Sequence, residues 1–106
     1  MLTEELLSRS LRWDDARGLA GEIVDVVPEE GSPVTLTMKV ARVELRADDA
    51  PMVQFSIVLR GPADPLLPQR TYRLRHSRLG DYALLITPLA RDATGVEYEA
   101  CVSHAA

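Results

Sequence analysis

The chain has 106 residues, 46% of them hydrophobic and 26% charged, which fits one globular domain with its own core. A single cysteine, Cys101, excludes an intrachain disulfide, and the net charge of −4 argues against nucleic acid as the main partner. No apolar run approaches the ~20 residues a membrane helix needs, and Met1 to Glu5 is acidic where a signal peptide is basic, so no membrane partner and a cytoplasmic location are expected.

Thr3 before Glu4-Glu5-Leu6-Leu7 predicts a hydroxyl-capped helix with acids in its first turn, over about residues 3–13. Leu2 is placed to staple onto Leu7. The helix should fade near Trp13, because Asp14 and Asp15 would meet the wrong end of its dipole. The β region is expected over about 20–103. Glu22 to Val27 is rich in β-branched residues and stops at Pro28, and residues 28–33 read as an exposed turn.

Val34, Leu36, Met38 and Val40 then alternate with polar residues, whereas Val43 and Leu45 carry on in the opposite parity. A change of phase by one residue predicts a β-bulge at Ala41-Arg42. Asp48 to Pro51 makes a loop. Val53, Phe55, Ile57 and Leu59 face one way until the Gly61-Pro62 break, and Tyr72 and Leu74 alternate with Arg73 and Arg75. The nearly unbroken apolar run from Tyr82 to Thr87 predicts a central strand covered on both faces. A hairpin at Arg91 to Gly95 leads into Val96, Tyr98, Ala100 and Val102, with Glu97 and Glu99 outward and a frayed end at His104. The fold expected is mainly β, a small antiparallel barrel or sandwich of about six strands with a short N-terminal helix, in a single domain spanning 1–106. Its core should hold Leu36, Met38, Phe55, Ile57, Leu59, Tyr72, Leu74, Leu84, Ile86 and Tyr98.

Three segments carry a resemblance: Phe55 to Pro62, Leu67 to His76, and Gly95 to Ala100. Together they resemble a bacterial family of small uncharacterised domains with F-x-L-x-F-R-G-P, L-P-Q-G-x-Y-x-L-x-H and G-x-x-Y-E-A segments. Arg70 stands where that pattern has Gly. The resemblance implies proximity to phage-tail-collar-like proteins and an accessory role in such an assembly, and it implies no catalytic residues.

Signatures of chemistry are sparse. Cys101-x-x-His104 supplies two potential metal ligands where a closed site needs about four. His76 is the other histidine, and it reads as a hydrogen-bonded strand residue. Ser56, Ser77 and Ser103 lie in no nucleophile elbow, and no phosphate-binding glycine motif is present. No cofactor, no metal and no enzymatic activity are expected.

Charge is the one unusual distribution. Residues 60–78 carry five arginines against Asp64, a local +4 that leaves −8 on the rest. Arg60, Arg70, Arg73 and Arg75 are therefore the candidate partner-binding residues, suited to an acidic protein surface. A competing reading has Arg73 and Arg75 brace Glu97 and Glu99, which have the same spacing on a neighbouring strand. That leaves Arg60 and Arg70 as the contacts. The function expected is a protein-interaction or structural accessory module. The alternative is a barrel that binds a small molecule or carbohydrate in a pocket lined by Arg and Tyr.

Overall fold

The computed structural model describes residues 2–47 and 51–106. Two short helices, α1 (Glu4–Ser8) and α2 (Trp13–Ala16), precede six strands: β1 (Ile23–Val27), β2 (Leu36–Ala47), β3 (Met52–Gly61), β4 (Arg70–His76), β5 (Gly80–Asp92) and β6 (Gly95–Ala105). All neighbours are antiparallel, in the order β1-β2-β3-β6-β5-β4, and β4 pairs back onto β1 to close a barrel. Among the described residues, no helix is long and apolar enough to cross a membrane. The loop read at Asp48 to Pro51 falls largely on residues 48–50, outside the described residues.

The alternating residues of β2 to β6 turn their apolar side chains into the ring. Met38, Val40, Phe55, Ile57, Leu59, Tyr72, Leu74, Leu84, Ile86 and Tyr98 are all buried, and Leu36 packs against them half-buried. The expected bulge is present: Val40 faces Leu59 and Arg42 faces Val58, so Ala41 is the extra residue. It resets the parity of β2, which keeps Val43 against the core.

Two lids cover the ends of the ring. At one end Leu67 is buried, its N–H donates to the Tyr98 hydroxyl (3.0 Å), and the Tyr72 hydroxyl donates to the Pro68 carbonyl (2.6 Å). At the other end Leu11, Ala16 and Leu19 are buried, and Trp13 lies on Phe55 with ring centroids 5.4 Å apart. Trp13 is thus a cap on the sheet.

Five local expectations are corrected. The helix over 3–13 is two helices. Thr3 caps the first through its side chain, but Arg9 is already extended, and burial of Leu11 holds the chain straight there. Asp14 and Asp15 stand in the first turn of α2, where their charge suits the dipole. Leu7 is exposed, and Leu2 lines a depression with Val27, Pro28 and Tyr72, so the two form no staple. The outer face of β5 is uncovered, with Leu85 45% exposed, because a closed ring has an inside but no second layer. His104 is ordered: it pairs with Val53 near the end of β6 and is buried.

Candidate interaction surfaces

The four arginines singled out by charge do not converge. Arg60 is at the end of β3 and the other three are on β4, which lies across the ring with two strands between them on either side. Arg60 clamps the β5–β6 hairpin, donating to Asp92 and Thr94 (both 2.7 Å). The Thr94 and Arg60 hydrogen bonds hold the Asp92 carboxyl well below the usual carboxylate range. Arg70 opens β4 with its guanidinium 5.0 Å from the Tyr72 ring centroid and donates to the Pro28 carbonyl (3.0 Å). Its φ is negative, so no glycine is needed there.

Arg73 and Arg75 brace acids, but different ones from those expected. Arg73 bridges Glu30 of the β1–β2 loop (3.0 Å) and Asp81 of β5 (2.9 Å), and Arg75 holds Asp81 by two hydrogen bonds. Hydrogen bonds from Arg75 and then Arg73 lower the Asp81 pKa against a partial desolvation that raises it. The Arg73 hydrogen bond likewise lowers that of Glu30. Glu97 and Glu99 are on β6, which shares no ladder with β4. They hold Arg42 (3.5 Å) and Arg46 (3.1 Å) of β2 instead.

These two arginines reach across β3, and their stems cover its outer face. Ser56 and Val58 are consequently buried although they point away from the core. Arg46 also donates to Ser56 (3.0 Å), and the Cys101 thiol donates to Glu99 (3.3 Å) in a shallow depression of about 370 Å³. Burial, followed by the Glu99 hydrogen bond, pushes the Cys101 thiol up, which disfavours the reactive thiolate. Cys101 and His104 are three apart on one strand, so they face opposite sides of the sheet. His76 is buried, with Nε2 at 2.7 Å from Glu22 and Nδ1 accepting the N–H groups of Arg78 and Leu79. Both histidines are parts of the scaffold.

Among the described residues, closure of the ring leaves two long incomplete seams. The first lies between β5 and β6. Residues Gly80–Ile86 of β5 pair with β4, and its ladder to β6 begins only at Ile86 and Ala100. The two strands splay below that point. The segment between α1 and α2 fills the gap: Arg9 donates to the carbonyls of Leu79 (2.8 Å) and Asp81 (2.9 Å) and stacks 4.1 Å from the Tyr82 ring centroid. The Trp13 N–H donates to His104 Nε2 (2.9 Å), which leaves the proton on Nδ1 to bond the Ala105 carbonyl.

The second seam is the edge of β2. Its ladder with β1 ends at Lys39, and the last backbone bonds across it join Val40 to Gly21 and Glu22. From Ala41 to Ala47, β2 pairs with β3 alone. Among the described residues, no backbone hydrogen bond reaches the other side of this stretch. Ala41, Arg42 and Arg46 are exposed, and Leu45 is 42% exposed. An antiparallel strand with one partner turns the N–H and C=O of every second residue away from it. The closed ring therefore carries an open edge from Ala41 to Ala47, interrupted by a second register shift between Leu45 and Ala47 that makes Arg46 an extra residue.

Residues 11–102 match the sequence profile of a domain of unknown function, DUF6916. The chain belongs to that family. The match includes the bulge, the open edge of β2, Trp13 and both lids, and ends just before His104. No curated protein and no solved structure matches the chain.

Sequence reasoning missed Arg9, Arg42, Arg46 and His104. For Arg42 and Arg46 a signal exists: Arg42-Val43-Glu44-Leu45-Arg46 alternates charged and apolar residues, as an outward-facing strand row should. Ser10-Leu11-Arg12-Trp13 also alternates, but the helix pattern before it hides the change.

Proposed function

We propose that this domain is a non-catalytic protein-interaction module that receives an extended partner segment along the β2 edge from Ala41 to Ala47. The observation that carries it is that edge: seven residues of β2 that pair with β3 alone and against which no segment of the described chain is laid. Strand addition supplies affinity through main-chain hydrogen bonds and selectivity through alternate side chains. Arg42, Glu44 and Arg46 would read one face of the incoming strand, and Val43 and Leu45 the other. Such a module suits an accessory part of a larger assembly, including a phage-tail-like one, the context that the resemblance implies. The pocket-binding alternative has less support, since all three tyrosine rings are buried in the core or under Arg9. Two of the tyrosine hydroxyls bond the lid backbone.

Amide hydrogen exchange with a partner identified by in-cell cross-linking tests the reading. The outward amides between Arg42 and Ala47 should gain protection on binding, while those of β4 should not change. Protection centred on Arg70 to Arg75 instead would sink it.

A further inference from the structure

The open edge of β2 is self-complementary. An edge guarded by charges of one sign repels any copy of itself, and natural sheets use that to stay apart. Here the sign alternates along Arg42, Glu44 and Arg46, so repulsion depends on register. Two copies meeting antiparallel about a two-fold axis at Glu44 would set Glu44 on Glu44 and Arg42 on Arg46, a repulsive register. An axis at Val43 sets Arg42 on Glu44 but drives the partner strand past Val40, where Gly21 and Glu22 already occupy the backbone. An axis at Leu45 avoids both problems. It sets Leu45, 42% exposed, on its own copy and Glu44 opposite Arg46, the extra residue of the second bulge of β2, on each side.

We infer that the β2 edge pairs with the same edge of a second copy, in the antiparallel register centred on Leu45, forming a two-fold dimer with one sheet continuous across both chains. This rests on the strand-addition reading and specifies its occupant. An isologous contact uses one patch on both subunits, so a single self-complementary strand suffices and the assembly closes at two. The pairing shares Arg46 between Glu99 and Glu44 of its own chain and Glu44 of the other, whose carboxylate also holds its own Arg42. Five facing residues form a small interface, so association in the micromolar to millimolar range is expected, with a marked dependence on salt.

Sedimentation equilibrium on the full chain tests this, over concentrations from about 1 μM to about 1 mM. The wild type should shift from monomer to dimer and not beyond. Glu44→Arg sets like charges together at both ends of the register, and Arg46→Glu does the same with the other sign. Each variant alone should weaken association at least ~10-fold. Mixed in equal amounts, the two variants face each other with opposite charges throughout and should form a heterodimer. Melting of each variant, read alongside, shows that it is folded. A heterodimer on mixing establishes both dimer and register. A wild type that stays monomeric across the range overturns the inference while leaving the strand-addition reading to the exchange experiment. A dimer indifferent to Arg46→Glu overturns the register and the β2 contact with it.

Discussion

The two seams of the ring differ in what lies against them. Between β5 and β6 the splayed strands are closed by the chain's own Arg9, Leu11 and Trp13, each with a specific partner or buried in the core. Along Ala41 to Ala47 of β2 nothing in the described chain takes the place of a neighbour. Both stretches pose the same physical problem, main-chain groups without a strand to pair with. A plug that arrives with the fold makes a gap part of the stability of the domain. A gap left outside the fold is available to another chain. Substitutions at the first seam should therefore be felt in folding, and substitutions at the second in association.

The largest effect is expected at Phe55, under Trp13 and beside His104. Phe55→Ala should destabilise the domain by about 3–5 kcal/mol, a lost transfer term plus a cavity under the plug. Denaturant melts check this. A loss below about 1 kcal/mol would mean that the plug collapses to refill the space, and the contrast between the seams would lose its main support.

Replacing His104 with Phe keeps an aromatic ring near Phe55 but leaves the Trp13 N–H without its acceptor. A buried donor without a partner costs about 1–3 kcal/mol, and this one is part-buried, so a loss near the lower end, about 1 kcal/mol, is expected. Amide exchange should also quicken at Trp13 and in α2 before the rest of the domain opens. Uniform quickening across all strands would show that the segment is not a separable plug.

Asp81→Asn removes the acid shared by Arg73 and Arg75, and a smaller loss, below about 1 kcal/mol, is expected at neutral pH. Its pH dependence is more telling. The folded pKa of Asp81 lies below its unfolded value, so its contribution is present above the unfolded pKa and is lost as pH falls through the folded one. Stability of the wild type should thus decline below about pH 4, and that of the variant should decline less. Identical acid profiles from thermal melts would place the acid sensitivity elsewhere.

The smallest effect on folding belongs to the open edge. Leu45→Thr puts a β-branched strand former at an exposed position, and melting should move by no more than about 0.5 kcal/mol. Association should fall nonetheless. A destabilisation comparable to that of His104→Phe would show that the edge is part of the fold after all.

Arg73 and Arg75 illustrate where sequence reading reaches its limit. Their bracing role was legible, because two arginines of one parity beside plentiful acids seldom stay unpaired. Their partners were not, because Glu97 and Glu99 match the spacing equally well on paper. Ring order decides the matter: β6 inserts between β3 and β5 and so lies within reach of Arg42 and Arg46 rather than β4. The same insertion buries Ser56 and Val58 on an outer face, which no alternation pattern announces. His104 looked like a loose end because burial of a terminal residue depends on what another part of the chain lays over it.

Alternation, proline breaks and the parity change at Ala41 are local features, set by the two-residue period of a strand and by the backbone limits of Pro. By themselves they determined the six strands, the bulge and the large strand residues at the centre of the core. Which strands become neighbours, where the ring splays and which edge stays open depend on contacts between residues far apart in the chain. A local period carries no record of those contacts. Only the tertiary structure decided that Arg9 and Trp13 would plug one gap and that β2 would keep the other.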